Sequence, residues 1–195
     1  MGKLRLKFIT IAYIAIAFTF ITQSTQAYYS TVGKATNVVT SGDIQFVVHE
    51  TTDQGTEFPK EGVYIIPGDI VSKKVSVENI CTHPFYLRVK IVYGVDSQEL
   101  SAEDCFKLNI DETNWKYHEG WYYYTGIVEP YQTTPDVFSK VEIVGSKVDN
   151  SYLGKTLELS IIAHAVQSEH NPIEGTDTFT ASGWPKEEVQ DEADD

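Results

Sequence analysis

The chain has 195 residues with 15 Lys+Arg against 28 Asp+Glu, a formal net charge of −13. A surface that acidic repels phosphate backbones and anionic headgroups, which disfavours nucleic-acid and membrane-surface binding. The length suits one domain with a proper hydrophobic core, and two cysteines are too few for a disulfide scaffold.

Residues Met1 to Lys7 are short and basic, with Lys3, Arg5 and Lys7 and no acid. From Phe8 to Ile21 the chain is almost wholly apolar, polar only at Thr10 and Thr19. Thr25-Gln26-Ala27 then places small side chains where a signal peptidase accepts them. The pattern predicts a signal peptide over 1–27, cleaved between Ala27 and Tyr28. The rival reading is a retained anchor, but a spanning helix needs about 20 apolar residues. No stable membrane anchoring is expected after cleavage. Removal of the leader leaves 12 basic residues against 28 acidic ones, a net charge of about −16.

Beyond the leader, 28–42 reads as an N-terminal arm or first strand, 43–184 as one domain and 185–195 as an acidic, solvated tail. The dominant signal in the domain is alternation with period two. Phe85, Leu87, Val89, Ile91 and Tyr93 share one face of a strand, with Tyr86, Arg88 and Lys90 on the other. Val71, Val75 and Val77 alternate with Ser72, Lys74, Ser76 and Glu78, and Leu157, Leu159, Ile161, Ala163 and Ala165 mark a third long strand. Shorter runs at 43–49, 63–66, 106–110, 120–128 and 137–144 bring the count to about eight. Pro67-Gly68-Asp69, Gly145-Ser146 and Asp149-Asn150-Ser151 separate them as turns. The aromatic runs Trp115-Lys116-Tyr117 and Trp121-Tyr122-Tyr123-Tyr124, joined through Glu119-Gly120, predict a hairpin. Ser101-Ala102-Glu103-Asp104 supports a turn or two of helix at most. Many short strands without a long helix predict an all-β, antiparallel sandwich of jelly-roll or Ig-like type.

No catalytic constellation emerges, and no cofactor or metal is expected. His49, His83, His118, His164 and His170 are scattered without metal-ligand spacing, and there is no His-Glu-x-x-His, Cys-x-x-Cys or Gly-x-Ser-x-Gly. His164 falls on a strand's polar face and is expected to be exposed or half-exposed; His49-Glu50 is a lone pair at a strand end. Cys81 and Cys105 either form one disulfide or remain two buried thiols. Trp121 and Tyr123 are candidate binding aromatics, because flat rings stack on sugar faces. Such a hairpin more often buries alternate rings against a core.

Several segments in order carry a resemblance: Ala27-Tyr28-Tyr29-Ser30, Thr40-Ser41-Gly42-Asp43-Ile44, Val77-Glu78-Asn79, Pro84 to Lys90, Asn114-Trp115, Gly120 to Tyr124, Tyr152-x-Gly154-Lys155-Thr156-Leu157, Ala165-Val166-Gln167 and Gly183-Trp184. The series resembles the TasA/camelysin family of exported proteins from Gram-positive spore-formers, processed by a SipW-type signal peptidase. The resemblance implies export to an extracellular (biofilm) matrix or a cell or spore surface. It also implies self-association or contact with other matrix or surface proteins, with the mature N-terminus completing the sheet of a neighbouring subunit. Here the donor segment would be Tyr28 to Ser41; the other reading is a first strand folded on its own domain. Camelysin carries a metalloprotease label, but this chain offers no residues for that role. It also differs from the fibre protein in having two cysteines and a long acidic tail. Beside the structural role stand a monomeric secreted module binding a glycan or host protein, and a secreted hydrolase.

Overall fold

The computed structural model describes the backbone course of Tyr29–Val32 and Ala35–Val39, and residues 44–185 in full. The expected leader with its Ala27/Tyr28 cleavage site, and the acidic tail, lie outside the described residues. None of the described helices is long and apolar enough to cross a membrane.

The described residues form eleven strands in two sheets: β1 (Tyr29–Val32), β2 (Ala35–Val39), β3 (Phe46–Thr51), β4 (Val63–Ile65), β5 (Ile70–Asn79), β6 (Phe85–Val95), β7 (Phe106–Leu108), β8 (Trp115–His118), β9 (Trp121–Tyr124), β10 (Phe138–Ile143) and β11 (Thr156–Gln167). The larger sheet has the order β4-β1-β11-β6-β9-β8, with β2 also on β11; the smaller has the order β3-β5-β10-β7. The chain is therefore an all-β sandwich, as the alternation predicts. Its strand pairs are antiparallel except where β1 and β2 join β11.

The centre of the larger sheet is the β6–β11 ladder, in register from Leu157↔Val95 to Gln167↔Phe85 without a break. Strand periodicity then sends Phe85, Leu87 and Val89 inward with Leu157, Leu159, Ile161, Ala163 and Ala165, all fully or almost fully buried. From the smaller sheet Phe46, Val75, Val77, Phe138, Val141 and Ile143 meet them. Two ring pairs join the layers: Phe46 on Phe85, centroids 6.0 Å apart, and Phe106 stacked on Tyr93 at 5.4 Å.

Local chemistry explains most boundaries. Glu119 and Gly120 have positive φ (46° and 84°), the two-residue turn whose twist suits a tight hairpin, and β8 pairs β9 as expected. The helical signal after Ser101 becomes one short 3-10 turn, Glu103–Cys105. β10 departs from strict alternation: its pairing with β5 shifts between Phe138 and Lys140, so Phe138 and Val141 both point inward. The amides exposed by this bulge are satisfied by Asn109, whose Oδ1 accepts from Ser139 N at 3.0 Å and Lys140 N at 2.6 Å.

Two polar groups enter the core side of β5. Asn79, fully buried, donates from Nδ2 to the carbonyls of His83 and Val128 and accepts from Cys81 N, tying the β5–β6 connection to the loop before β10. Lys73 is 3% exposed and faces Glu50 across the β3–β5 pair, Nζ to Oε1 3.0 Å, with its ammonium over the Phe58 ring. Burial pulls the Lys73 pKa down, and the Glu50 charge opposes that pull. A lowered lysine pKa means that the fold disfavours the charged form, so the pair is costly to bury and costlier to break. Lys73→Met alone should lose about 3 kcal/mol by strand-ed Glu50. Lys73→Met with Glu50→Gln should recover most of that loss, as measured by urea unfolding.

Candidate functional site: the strand edge and the covered outer face

β11 is paired along one side by two segments that precede the main domain. β1 lies parallel to it through Ser30↔Thr156, Thr31↔Leu157 and Val32↔Glu158. β2 continues from Ala35↔Ile161 to Val39↔Ala165. The register does not slip between them: three residues onward in the arm, Val32 to Ala35, match three onward in β11, Glu158 to Ile161. β1 and β2 thus keep one parallel register along most of the β11 edge. β4 reaches the sheet only through β1, pairing Tyr29↔Ile65 to Thr31↔Val63. The described residues of the arm, 29–32 and 35–39, pair along the β11 edge of the same chain.

The outer face of the same sheet is covered. Arg88 and Tyr86 of β6, His164 and Val166 of β11, and Trp121 and Tyr123 of β9 all project away from the main core and form a second layer with Phe179, Ala181 and Trp184 of the closing segment. Trp121 is 4% exposed and Tyr123 5%, so neither offers a ring to a soluble ligand. His164, expected at the surface, is 7% exposed. It lies on the predicted face, but residues after β11 fold back over that face. Trp121 packs on it with ring centroids 4.4 Å apart and planes inclined at 36°.

Arg88 organises this layer. Its guanidinium lies 4.0 Å from the Trp121 ring centre and 5.0 Å from that of Trp184. It donates to Tyr123 Oη at 3.1 Å, to His164 Nδ1 at 3.1 Å and to the Pro185 carbonyl at 2.6 Å. Acceptance at Nδ1 places the neutral imidazole's proton on Nε2. The buried guanidinium is held by aromatic faces and by neutral acceptors, with no carboxylate on it among the described residues. The closing segment is tied further by Lys116 to Asp177 (2.8 Å), Thr178 Oγ1 to the Tyr124 carbonyl (2.8 Å) and Trp184 Nε1 to the Thr178 carbonyl (3.3 Å). The Gly183-Trp184 motif is thereby the far end of a strap. Arg88 could be placed on the outer face from sequence, but nothing in the alternation signals what lies over that face.

Cys81 and Cys105 are free, buried thiols. Cys81 Sγ donates to the His83 carbonyl and Cys105 Sγ to that of Ser101, so the structure takes the unpaired reading and the disulfide is absent from it. Each sulfur is held by its own local turn. Burial pushes the Cys105 pKa up. The His49-Glu50 pair is divided by strand alternation: His49 Nε2 meets Glu78 at 2.7 Å on the outside, and Glu50 meets Lys73. Among the described residues no group of three or more His, Cys, Asp and Glu side chains could hold a metal ion. No family model matches the chain, and no curated protein and no solved structure matches it.

Replacing the fork by a point charge, Arg88→Lys, should cost about 2 kcal/mol through lost charge-assisted hydrogen bonds. It should also expose the strap to limited proteolysis between Ser168 and Trp184 before global unfolding. A raised thiol pKa leaves less thiolate at any pH below it, so Cys105 should resist alkylation at pH 8 in the folded protein. Denaturation without reductant should release two titratable thiols per chain; finding none would establish the bridge instead.

Proposed function

We propose that this chain is an exported structural protein of an extracellular (biofilm) matrix or of a cell or spore surface, which self-associates by exchanging its N-terminal arm. The observation that carries this reading is the unbroken parallel register of β1 and β2 along β11. A strand held by backbone hydrogen bonds to an edge in its own domain can make the same bonds to that edge in another copy. Exchange conserves the ladder, and the closed arm is the monomeric form of the same contact. The covered outer face and the free thiols leave this edge as the best-equipped surface for association. Membership of the TasA/camelysin family would imply the same role. The strong negative charge supports protein or neutral partners over nucleic acid and anionic membranes.

Cysteines at the register partners Thr36 and Ile162 test the exchange directly. In secreted protein carrying Thr36→Cys and Ile162→Cys, oxidation should give a ladder of covalent oligomers on a non-reducing gel, together with fibres by electron microscopy. N-terminal sequencing of the same sample should begin at Tyr28. Quantitative intrachain bridging at high protein concentration, with no ladder, would leave the arm an ordinary first strand and end the proposal.

A further inference from the structure

The far side of the β6–β11 ladder is open over half its length. At its two ends Asp96 N donates to the Thr156 carbonyl and Ser168 N to the Pro84 carbonyl, both in the β6–β11 register. Even-numbered residues of β6 therefore turn their peptide groups toward β11, and odd-numbered ones turn theirs away from it. Phe85 accordingly exchanges hydrogen bonds with Val128, and Val89 lies opposite Tyr122 of β9. The register with β9 stops at Val89, because the hairpin turns back at Glu119-Gly120, but β6 runs on to Val95. Among the described residues nothing on this side pairs with the peptide groups of Ile91 and Tyr93 or with the Val95 N–H. The Val95 carbonyl accepts from Ser97 N at 2.8 Å.

This stretch of edge forms one wall of a cleft of about 440 Å³, and the loop after β6 forms the other with Leu100 and Glu103. Ile91, Tyr93 and Val95 pack toward the core but are only half-buried, whereas Phe85, Leu87 and Val89 of the same row are fully buried. The row loses its cover where β9 stops. Charge then selects what fits. On the outer face the Glu158 carboxylate stands beside Gly94, 3.5 Å from where a β-carbon on that glycine would lie. On the core side Glu103 is near enough to Tyr93 that, after burial and Tyr122, its charge helps push the phenol pKa up to about 12. Lys90, the one cation lining the cleft, has its ammonium over the Trp121 ring (5.7 Å), at the β9 end. A second copy of this chain would bring another net −13 and the same two carboxylates to the edge.

We propose that the open edge of β6 receives an extended basic segment of a partner protein by strand addition. The segment pairs through its backbone with Ile91, Tyr93 and Val95. Its alternate apolar side chains lie over Ile91, Tyr93 and Leu100, and the lysines or arginines between them reach past Gly94 to Glu158. Backbone pairing supplies affinity that any extended chain can use, and the alternate side chains supply the choice of partner. The absence of a side chain at Gly94 keeps the approach to Glu158 clear on the outer face. This contact lies across β6 from the arm on β11, so the two edges of the ladder have separate uses.

The alternation of peptide groups gives the test its readout. The full mature protein, labelled with ¹⁵N and with its amide signals assigned, is titrated with the capped peptide Val-Lys-Val-Lys-Val-Lys-Val. The same peptide with Glu for Lys, and the Lys peptide N-methylated at every residue, serve as controls. At saturation the amides of Ile91, Tyr93 and Val95 should exchange with solvent about tenfold more slowly, while those of Val92 and Gly94, already bonded to β11, keep their rates. Neither control should protect them. Glu103→Gln with Glu158→Gln should weaken binding about fivefold, with an unaltered thermal midpoint. No protection by the Lys peptide, equal protection by either control, or prior protection of these amides by a dimer of the free protein would each overturn the proposal. A failure of arm exchange at β11 would leave every one of these readings unchanged.

Discussion

Thr156 to Gln167 of β11 runs antiparallel to β6 without a bulge, and almost everything else in the domain is placed by that ladder. Its inward residues, from Leu157 to Ala165, build half of the sandwich core with Phe85, Leu87 and Val89. Its outward residues His164 and Val166 meet Arg88 and Tyr86 in the second layer, because partners in register share a face. Its remaining edge receives the arm. A slip of β11 by one residue against β6 would turn His164 into the core and bring Leu159 and Ile161 to the outer face, so burial on both faces locks the register. The arm's parallel register is then dictated by a strand that cannot move.

The second layer shows how a sheet face with a charged residue can still be buried. Arg88 would be expensive beneath the strap if its donors were unmet. Tyr123, His164 and the Pro185 carbonyl meet them, and the rings of Trp121 and Trp184 spread the charge over their faces. The acceptors come from three separated parts of the chain, so the hydrogen bonds form together only when β6, β9, β11 and the strap are all in place. Arg88 is in this sense a check on the tertiary arrangement, unlike Lys73, whose partner Glu50 lies on the adjoining strand.

Much of the fold was legible because alternation reports parity directly. The faces of β5, β6 and β11 follow from the order of Val, Leu and Ile with Ser, Lys and Glu, and the hairpin from Glu119-Gly120. What parity does not report is what lies over a face. His164 and Trp121 sit on the predicted side yet are buried, because residues 168–185 form a strap with little regular structure: only the 3-10 turn Thr178–Thr180 and an isolated bridge. Lys73 occupies an inward position in a strand whose other inward residues are valines and Asn79, and only the neighbouring strand supplies the carboxylate that makes this tolerable. The β10 bulge escaped for a related reason: Asn109, which satisfies it, is 30 residues away.

The charge of the chain bears on which surfaces can bring copies together. At a formal net charge of −13, two copies approaching through side chains meet repulsion over a range of about a Debye length, some 8 Å at physiological salt. Backbone pairing along β11 is less exposed to that penalty, since its donors and acceptors are peptide groups and the hydrogen bonds gained by exchange equal those given up. The net free energy of such an exchange is therefore small, and its direction is set by concentration. An edge with these properties suits association of copies better than surface patches do, because patches must come within that range of like-charged side chains.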